Sequence, residues 1–390
     1  MKIVFFTNEY AHAKLPASGG VGSFLKVMSE ALVKKGHEIH IYGFSKRSIE
    51  FQDKGIYFSF FKKYSKQFRF REFVRSASSK MNIKGAELSF LKQERQFLAK
   101  QLKTYCKSHN IDIIESFVFN GFSAYWDNST PLVIRFHGSR GFWHQYLGAE
   151  KDEHKIAMEK KALLATPYSV VNSHFSKKFI KDYYNVDVDI VIHNGINTLN
   201  FAPDKSVKEI PKSIYYIGTL SEAKGVKDLV TIFNDVVLKE PEATLHLIGR
   251  GETYWNYLKL EVCSKNALKQ TTYYNHVQLS EIPKKLSEAS IIAVPSKGET
   301  FGFTIVEAMA LEKVVIVSNI PVAEELITNG EDGFIAKDTT DFKNSILNVF
   351  ENPEAYKKLR QQAREKVVDN FTQEKMIDAT LKYYKKILNT

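Results

Sequence analysis

Along the chain, short apolar runs alternate with stretches whose apolar residues recur every three or four positions. KIVFF near the start reads as a buried strand, and VGSFLKVMSEALVKKG as an amphipathic helix closed by Gly36. HEIHIYGF, IDIIES, PLVIRF, YSVVNS and DIVIHNG repeat the strand pattern, with helical stretches around them. Strand, helix, strand at this spacing predicts parallel βαβ units and a doubly wound sheet. Periodicity then lapses in NGINTLNFAPDKSVKEIPKS, a polar stretch holding Pro203 and Pro211, which marks a boundary. A second alternation follows: strand SIYYIG, helix GVKDLVTIFNDVVLKE, strand ATLHLIG, a helix from about Trp255, strand YYNHVQL, helix IPKKLSEA and strand SIIAVPS. The pattern predicts an α/β protein of two Rossmann-like domains, residues 1–196 and 197–372, and a final helix within residues 373–390.

The richest chemistry lies in PSKGETFGFTIVEAMALEKVVIVS, residues 295–318. Gly302 breaks the chain, FTIVEAMAL has helical spacing and VVIVS reads as a buried strand. Glu299 therefore belongs to a loop and Glu307 to the following helix. The amides of Phe301, Gly302, Phe303 and Thr304 would point out of the helix N-terminus, a place suited to phosphate. A carboxylate on each side suits a ligand with hydroxyls at both ends, since carboxylates are strong acceptors. A nucleoside diphosphate sugar has that form. Taken alone, two such glutamates are more often solvated charges on a surface loop and an ordinary amphipathic helix.

Three further stretches fall at predicted strand ends, where ligands collect in open parallel sheets. TNEYAHAKLPASGGVGSF follows the first strand, and its glycines let backbone approach a ligand, although it lacks the G-x-G-x-x-G spacing and also suits a flexible connection. His137 follows PLVIRF; a lone loop histidine is otherwise a structural or solvated group. IGTLSEAKGVKDL puts Lys224 just ahead of a helix. Asp187 and Asp189 in VDVDI have the look of a metal-binding pair, but they precede a strand rather than follow one, and no metal is expected there.

Residues 295–318 resemble the signature of the family-four retaining glycosyltransferases, and the likeness extends over essentially the full length, strongest from Ile214 to Asp338. The resemblance implies the GT-B architecture, two Rossmann-like domains facing each other across a cleft, with the final helix returning to the first domain. It implies transfer of a sugar from a nucleotide-sugar donor, a UDP- or GDP-sugar, to an acceptor hydroxyl without a bound metal or other cofactor. By the same likeness Glu299 contacts the donor sugar, Glu307 holds the ribose hydroxyls, and His137 lies beside the reaction centre. Gly20 faces the pyrophosphate, Lys224 neutralises it, and backbone near Gly249 meets the base. Departures exist. Thr300 stands where the family has Gly, LEKVVIVS lacks the usual Gly-x-Pro, and Thr219 replaces an arginine that would join Lys224 on the pyrophosphate; Arg250 or Lys297 could compensate. Other readings are a nucleotide-sugar epimerase or hydrolase of this fold, or a non-catalytic sugar-nucleotide binder.

Charge sharpens the acceptor question. Residues 46–107 hold sixteen Lys and Arg against five Asp and Glu, a surplus equal to the whole chain's formal net charge of +11. Within them FFKKYSKQFRFREFVRS interleaves aromatics with Lys62, Lys63, Lys66, Arg69 and Arg71. That mixture suits an anionic membrane surface, or else a solvated helical hairpin with its aromatics inward. No recognised nucleic-acid motif accompanies it. The two cysteines, Cys106 and Cys263, match no metal or redox spacing, and MKIVFFTNEY is not a secretory signal. The expectation is a cytoplasmic protein at the inner face of the membrane, acting on a glycolipid, lipid-linked or anionic cell-envelope acceptor.

Overall fold

A computed structural model describes residues 1–68, 72–73 and 85–389. The chain divides into two compact units: Met1–Ile192 with Ile377–Thr390, and His193–Met376.

The first unit is an eight-stranded sheet in the order β3-β4-β2-β1-β5-β6-β7-β8. Its strands are β1 Lys2–Thr7, β2 Glu38–Ser45, β3 Ile49–Asp53, β4 Ile56–Lys62, β5 Ile113–Phe117, β6 Leu132–Phe136, β7 Tyr168–Val171 and β8 Ile190–Val191. All neighbours run parallel except β3 and β4, which are antiparallel. The central strands are buried along almost their whole length, as a sheet covered on both faces requires. The helix Gly20–Lys34 follows β1, and Gly36 just beyond it takes φ 83°. The last helix, Gln373–Leu388, reaches this unit from Ile377 onward. There Arg135 on β6 donates to both carboxylate oxygens of Glu115 on β5, at 2.8 and 3.0 Å, and to the Thr380 hydroxyl at 3.2 Å. Tyr384 donates to the same carboxylate. This fully buried ion pair draws its partners from two strands and the last helix together, although Arg135 Nη1 is buried without a hydrogen bond.

The basic stretch corrects one expectation. Instead of a helical hairpin, its first part is β4, whose alternation sends Phe58 and Phe60 into the core. Tyr64 on the short helix Tyr64–Gln67 is buried as well, and Phe61 packs on Tyr42, Phe44 and Phe97. These aromatic rings serve the core. Lys62 and Lys66 are exposed and Lys63 is half-buried; Arg69 and Arg71 lie outside the described residues.

The second unit is a six-stranded parallel sheet, order β11-β10-β9-β12-β13-β14. Its strands are β9 Ser213–Ile217, β10 Thr244–Ile248, β11 Thr271–Tyr274, β12 Ile291–Val294, β13 Val314–Ser318 and β14 Phe334–Ala336. β11 ends at Tyr274, so the strand expected over YYNHVQL lies earlier and Asn275–Leu279 is loop. The unit begins at His193 rather than at residue 197 because Ile196 belongs to it by backbone pairing. Its amide donates to Phe371 O and its carbonyl accepts from Gln373 N, at 2.9 and 2.8 Å. A Cβ on Gly195 would meet Thr372 O at 2.2 Å, so the close pass needs glycine.

Candidate active site

In the second unit β9 comes first in chain order, with β10 on one side and β12 on the other. The strand order reverses there, and the loops after β9 and β12 flank the crevice such a switch point makes. The β9 loop runs through Gly218, Thr219 and Leu220 into a short turn, Glu222–Lys224, before the helix Val226–Lys239. The β12 loop carries Ser296 to Gly302 and enters the helix Phe303–Ala310. The loops touch: Lys297 N donates to Ala223 O at 3.0 Å. Gly225, at φ 66°, passes so near Pro295 that a Cβ would meet its carbonyl oxygen at 1.8 Å. Only glycine tolerates both constraints.

That contact brings Lys224 and Glu299 together. The ammonium lies 2.6 Å from Glu299 Oε1, which also accepts from Ser296 Oγ at 2.8 Å. Both side chains keep part of their surface open, 33% for Lys224 and 20% for Glu299, so a charged ligand can compete for either partner. Beside them Gly302, at φ 92°, turns the chain into its helix. The first-turn amides of Phe303 and Thr304 have no carbonyl four residues back, leaving donors for an anion. Phe301 is buried under this turn. Glu307 lies one turn on. Protein surrounds its carboxyl although part of the residue stays accessible, and this desolvation raises its pKa to about 7.

Thr219 is exposed and supplies no charge. Of the two candidate replacements, Lys297 is already paired with Glu222, which also accepts from Tyr254 at 2.8 Å. Arg250 is exposed in the loop after β10, and its carbonyl accepts from Leu220 N at 2.8 Å, one residue beyond Thr219. Gly249 supports that approach, since a Cβ there would meet Gly218 O at 2.0 Å. Of the two, Arg250 is the one whose side chain makes no ion pair among the described residues, and its backbone adjoins the Thr219 loop.

In the first unit His137 follows β6, against Phe24 at 4.2 Å and Phe117 at 5.8 Å between ring centroids. Burial, reinforced by the charge of Arg135, lowers its pKa to about 3, so the imidazole is neutral at physiological pH. Gly20 opens the helix Gly20–Lys34 with free space where a Cβ would stand, whereas a Cβ on Gly22 would meet the Ser18 side chain at 2.4 Å. The constraint in this loop thus falls on Gly22. Glu9, not singled out from sequence, accepts from Gly19 N at 2.7 Å and puts a carboxylate where the glycine loop was expected to face phosphate. The paired aspartates are both engaged: Asp187 with Lys181 at 2.7 Å, and Asp189 with Tyr383 at 2.6 Å.

Residues 18–199 match the Glycosyltransferase Family 4 pattern and residues 200–366 that of Glycosyl transferases group 1, so the two adjoin across nearly the whole chain. The chain belongs to the family-four glycosyltransferases. Among its relatives is N-acetyl-alpha-D-glucosaminyl L-malate synthase of Bacillus anthracis, 22% identical over 379 residues, covering 93% of this chain and 92% of that protein. Glycogen synthase of Mycobacterium tuberculosis is 26% identical over 197 residues, half of this chain and 47% of that relative. Among solved structures, Anabaena HepE in complex with UDP-glucose superposes with a TM-score of 0.73 at 15% identity, over 100% of each chain. The fold of this glycosyltransferase family member is GT-B: two α/β units built on parallel sheets.

Proposed function

We propose that the protein transfers a sugar from a nucleoside diphosphate donor to an acceptor hydroxyl with retention of configuration. The observation that carries this reading is the half-open Lys224–Glu299 pair at the switch point, 2.6 Å apart beside the helix entry at Gly302. In this reading the diphosphate lies against Lys224 and the Phe303 and Thr304 amides, with Arg250 supplying the charge that Thr219 lacks. Glu307 accepts from the ribose hydroxyls, and Glu299, released from Lys224, accepts from the donor sugar. The bond from the anomeric carbon to the diphosphate breaks, and the acceptor oxygen bonds to that carbon on the same face. The acceptor proton passes to the departing phosphate oxygen, which leaves glycoside and nucleoside diphosphate. Charge stabilisation at Lys224 is most valuable in that transition state. His137, neutral, would line the sugar side without carrying charge.

The donor is a UDP- or GDP-sugar in this proposal; the UDP-glucose held by HepE supports the first. No metal or other cofactor has a part in the proposed step. The acceptor is placed among membrane-associated or anionic cell-envelope glycans, on the strength of the exposed Lys62 and Lys66. Among the described residues no helix is long and apolar enough to cross a membrane, and the attachment proposed here is peripheral.

Donor turnover tests the proposal. Incubation with UDP- and GDP-sugars should release nucleoside diphosphate at a rate that rises when acceptor glycan is added. Release indifferent to acceptor would make the protein a hydrolase, and binding without release would make it a sugar-nucleotide binder.

A further inference from the structure

The loops after β5 and β6 also build an exposed face that no donor-side role explains. Trp143 on the helix Arg140–Leu147 remains 39% exposed, with its ring 4.8 Å from that of Phe119. The Arg140 guanidinium stands 4.9 Å from the Phe119 ring centre and 5.2 Å from that of Trp143. Its Nε donates to Asn120 Oδ1 at 3.1 Å, while its terminal nitrogens make no hydrogen bond among the described residues.

The framework beneath this face is unusually fixed. Asn120 sits at φ 62°, a conformation that costs a non-glycine residue on the order of 1 kcal/mol. It is held from three sides. Its amide donates to Glu159 Oε1 at 3.0 Å, its carbonyl accepts from Arg95 Nη2 at 2.8 Å, and its side chain takes Arg140. Glu159 is wholly buried and also accepts from Arg140 N at 2.8 Å and Tyr184 OH at 2.7 Å. Two buried charged residues and a strained asparagine thus fix one cation and one aromatic pair that remain open. Burying apolar surface requires none of this, because Trp143 stays exposed.

We propose that Phe119, Trp143 and Arg140 form a subsite for the acceptor: a sugar ring laid on the aromatic faces, with a carboxylate or phosphate beside it on the guanidinium. Aromatic rings offer an apolar face matching the C–H side of a pyranose, and a guanidinium with free terminal donors suits a planar carboxylate or a phosphate. Asp152, whose charge also acts on Arg140, is tied to Lys155 at 2.6 Å and leaves the guanidinium free. The inference rests on the transferase reading above and adds to it the chemical class of the acceptor.

Saturation-transfer NMR with glucose 6-phosphate, glucuronate and glucose tests the subsite, with calorimetric binding of UDP and GDP on the same samples. Both anionic sugars should receive saturation through their ring protons, glucose at least about fivefold less. Whichever anionic sugar responds more strongly assigns the acidic group as phosphate or carboxylate. Trp143→Ala and Arg140→Gln should each lose about fivefold or more of that binding, with Trp143→Phe and Arg140→Lys retaining part of it and nucleotide affinity unchanged in all four. Equal response from all three sugars, no response, or full binding by Trp143→Ala and Arg140→Gln would overturn the subsite. If nucleotide still binds in that case, the donor reading stands; if neither nucleotide nor anionic sugar binds, both readings fall.

Discussion

In the second unit, charges at the strand ends are paired one to one and open to solvent: Lys224 with Glu299, half-open, and Lys297 with Glu222, exposed. In the first unit the charges beneath the loops after β5 and β6 are sealed, although the Arg140 guanidinium above them stays open. Glu115 and Arg135 are fully buried and bonded to Thr380 and Tyr384, while Glu159 takes the amides of Asn120 and Arg140. A half-open pair can exchange its partner for a ligand at small cost, because solvent screens both charges. A buried pair cannot, since removing one partner strands the other in a poorly solvated interior. On the proposed reading the same residue types do different work: ligand exchange by Lys224 and Glu299 in one unit, and fixing loops and a returning helix by Glu115, Arg135 and Glu159 in the other.

Breaking the sealed pair should give the largest effect. Arg135→Met leaves Glu115 buried without its cation and should lower unfolding free energy by about 3–5 kcal/mol in chemical denaturation. A loss below about 1 kcal/mol would make the pair no more structural than a surface contact. Next, Lys224→Ala should cut turnover by about a hundredfold or more while weakening nucleoside diphosphate binding far less, read from steady-state kinetics beside calorimetry. Near-normal turnover would place the phosphate elsewhere.

Glu307 gives a pH test intermediate between the two regimes. Its folded pKa, raised from 4.5 to about 7, means that the folded form holds a proton the unfolded chain has released. The stability contribution is thus full below pH 4.5 and disappears as pH rises through 7. Relative to the unmodified protein, Glu307→Gln should gain about 2–3 kcal/mol of stability between pH 5 and pH 8. Nucleotide affinity of the unmodified protein should rise over the same interval as the carboxylate forms. The smallest effect is expected at the basic surface: changing Lys62 and Lys66 to Gln should each weaken binding to anionic vesicles by about 1 kcal/mol, and only at low salt.

Legibility followed sequence distance. The parallel strands and the loops after β9 and β12 could be read because each depends on a contiguous apolar run or a glycine at a turn. The β3–β4 hairpin was hidden by its charge: Lys62 and Lys63 directly follow the buried alternation of Phe58 and Phe60. The length of β11 was overread because Val277 and Leu279 continue its apolar content beyond the last paired residue. Glu9, Glu115 and Glu159 gave no local signal. Each is defined by partners 10 to 269 residues away, and a lone glutamate in sequence reads as surface charge. Thr219 stands where the family resemblance implies a cation, and the backbone pairing of Leu220 with Arg250, which brings a neighbouring loop with an arginine alongside, gave no signal in sequence.

The most direct test is calorimetric titration of nucleoside diphosphate into the unmodified protein, Glu299→Gln, Lys224→Ala and the double variant. If Glu299 holds Lys224 until the diphosphate displaces it, Glu299→Gln should bind about two- to fivefold more tightly. Lys224→Ala should bind more weakly, and Glu299→Gln should have no further effect in the Lys224→Ala background. Unchanged or weaker binding by Glu299→Gln, or the same gain with Lys224 absent, would contradict the account.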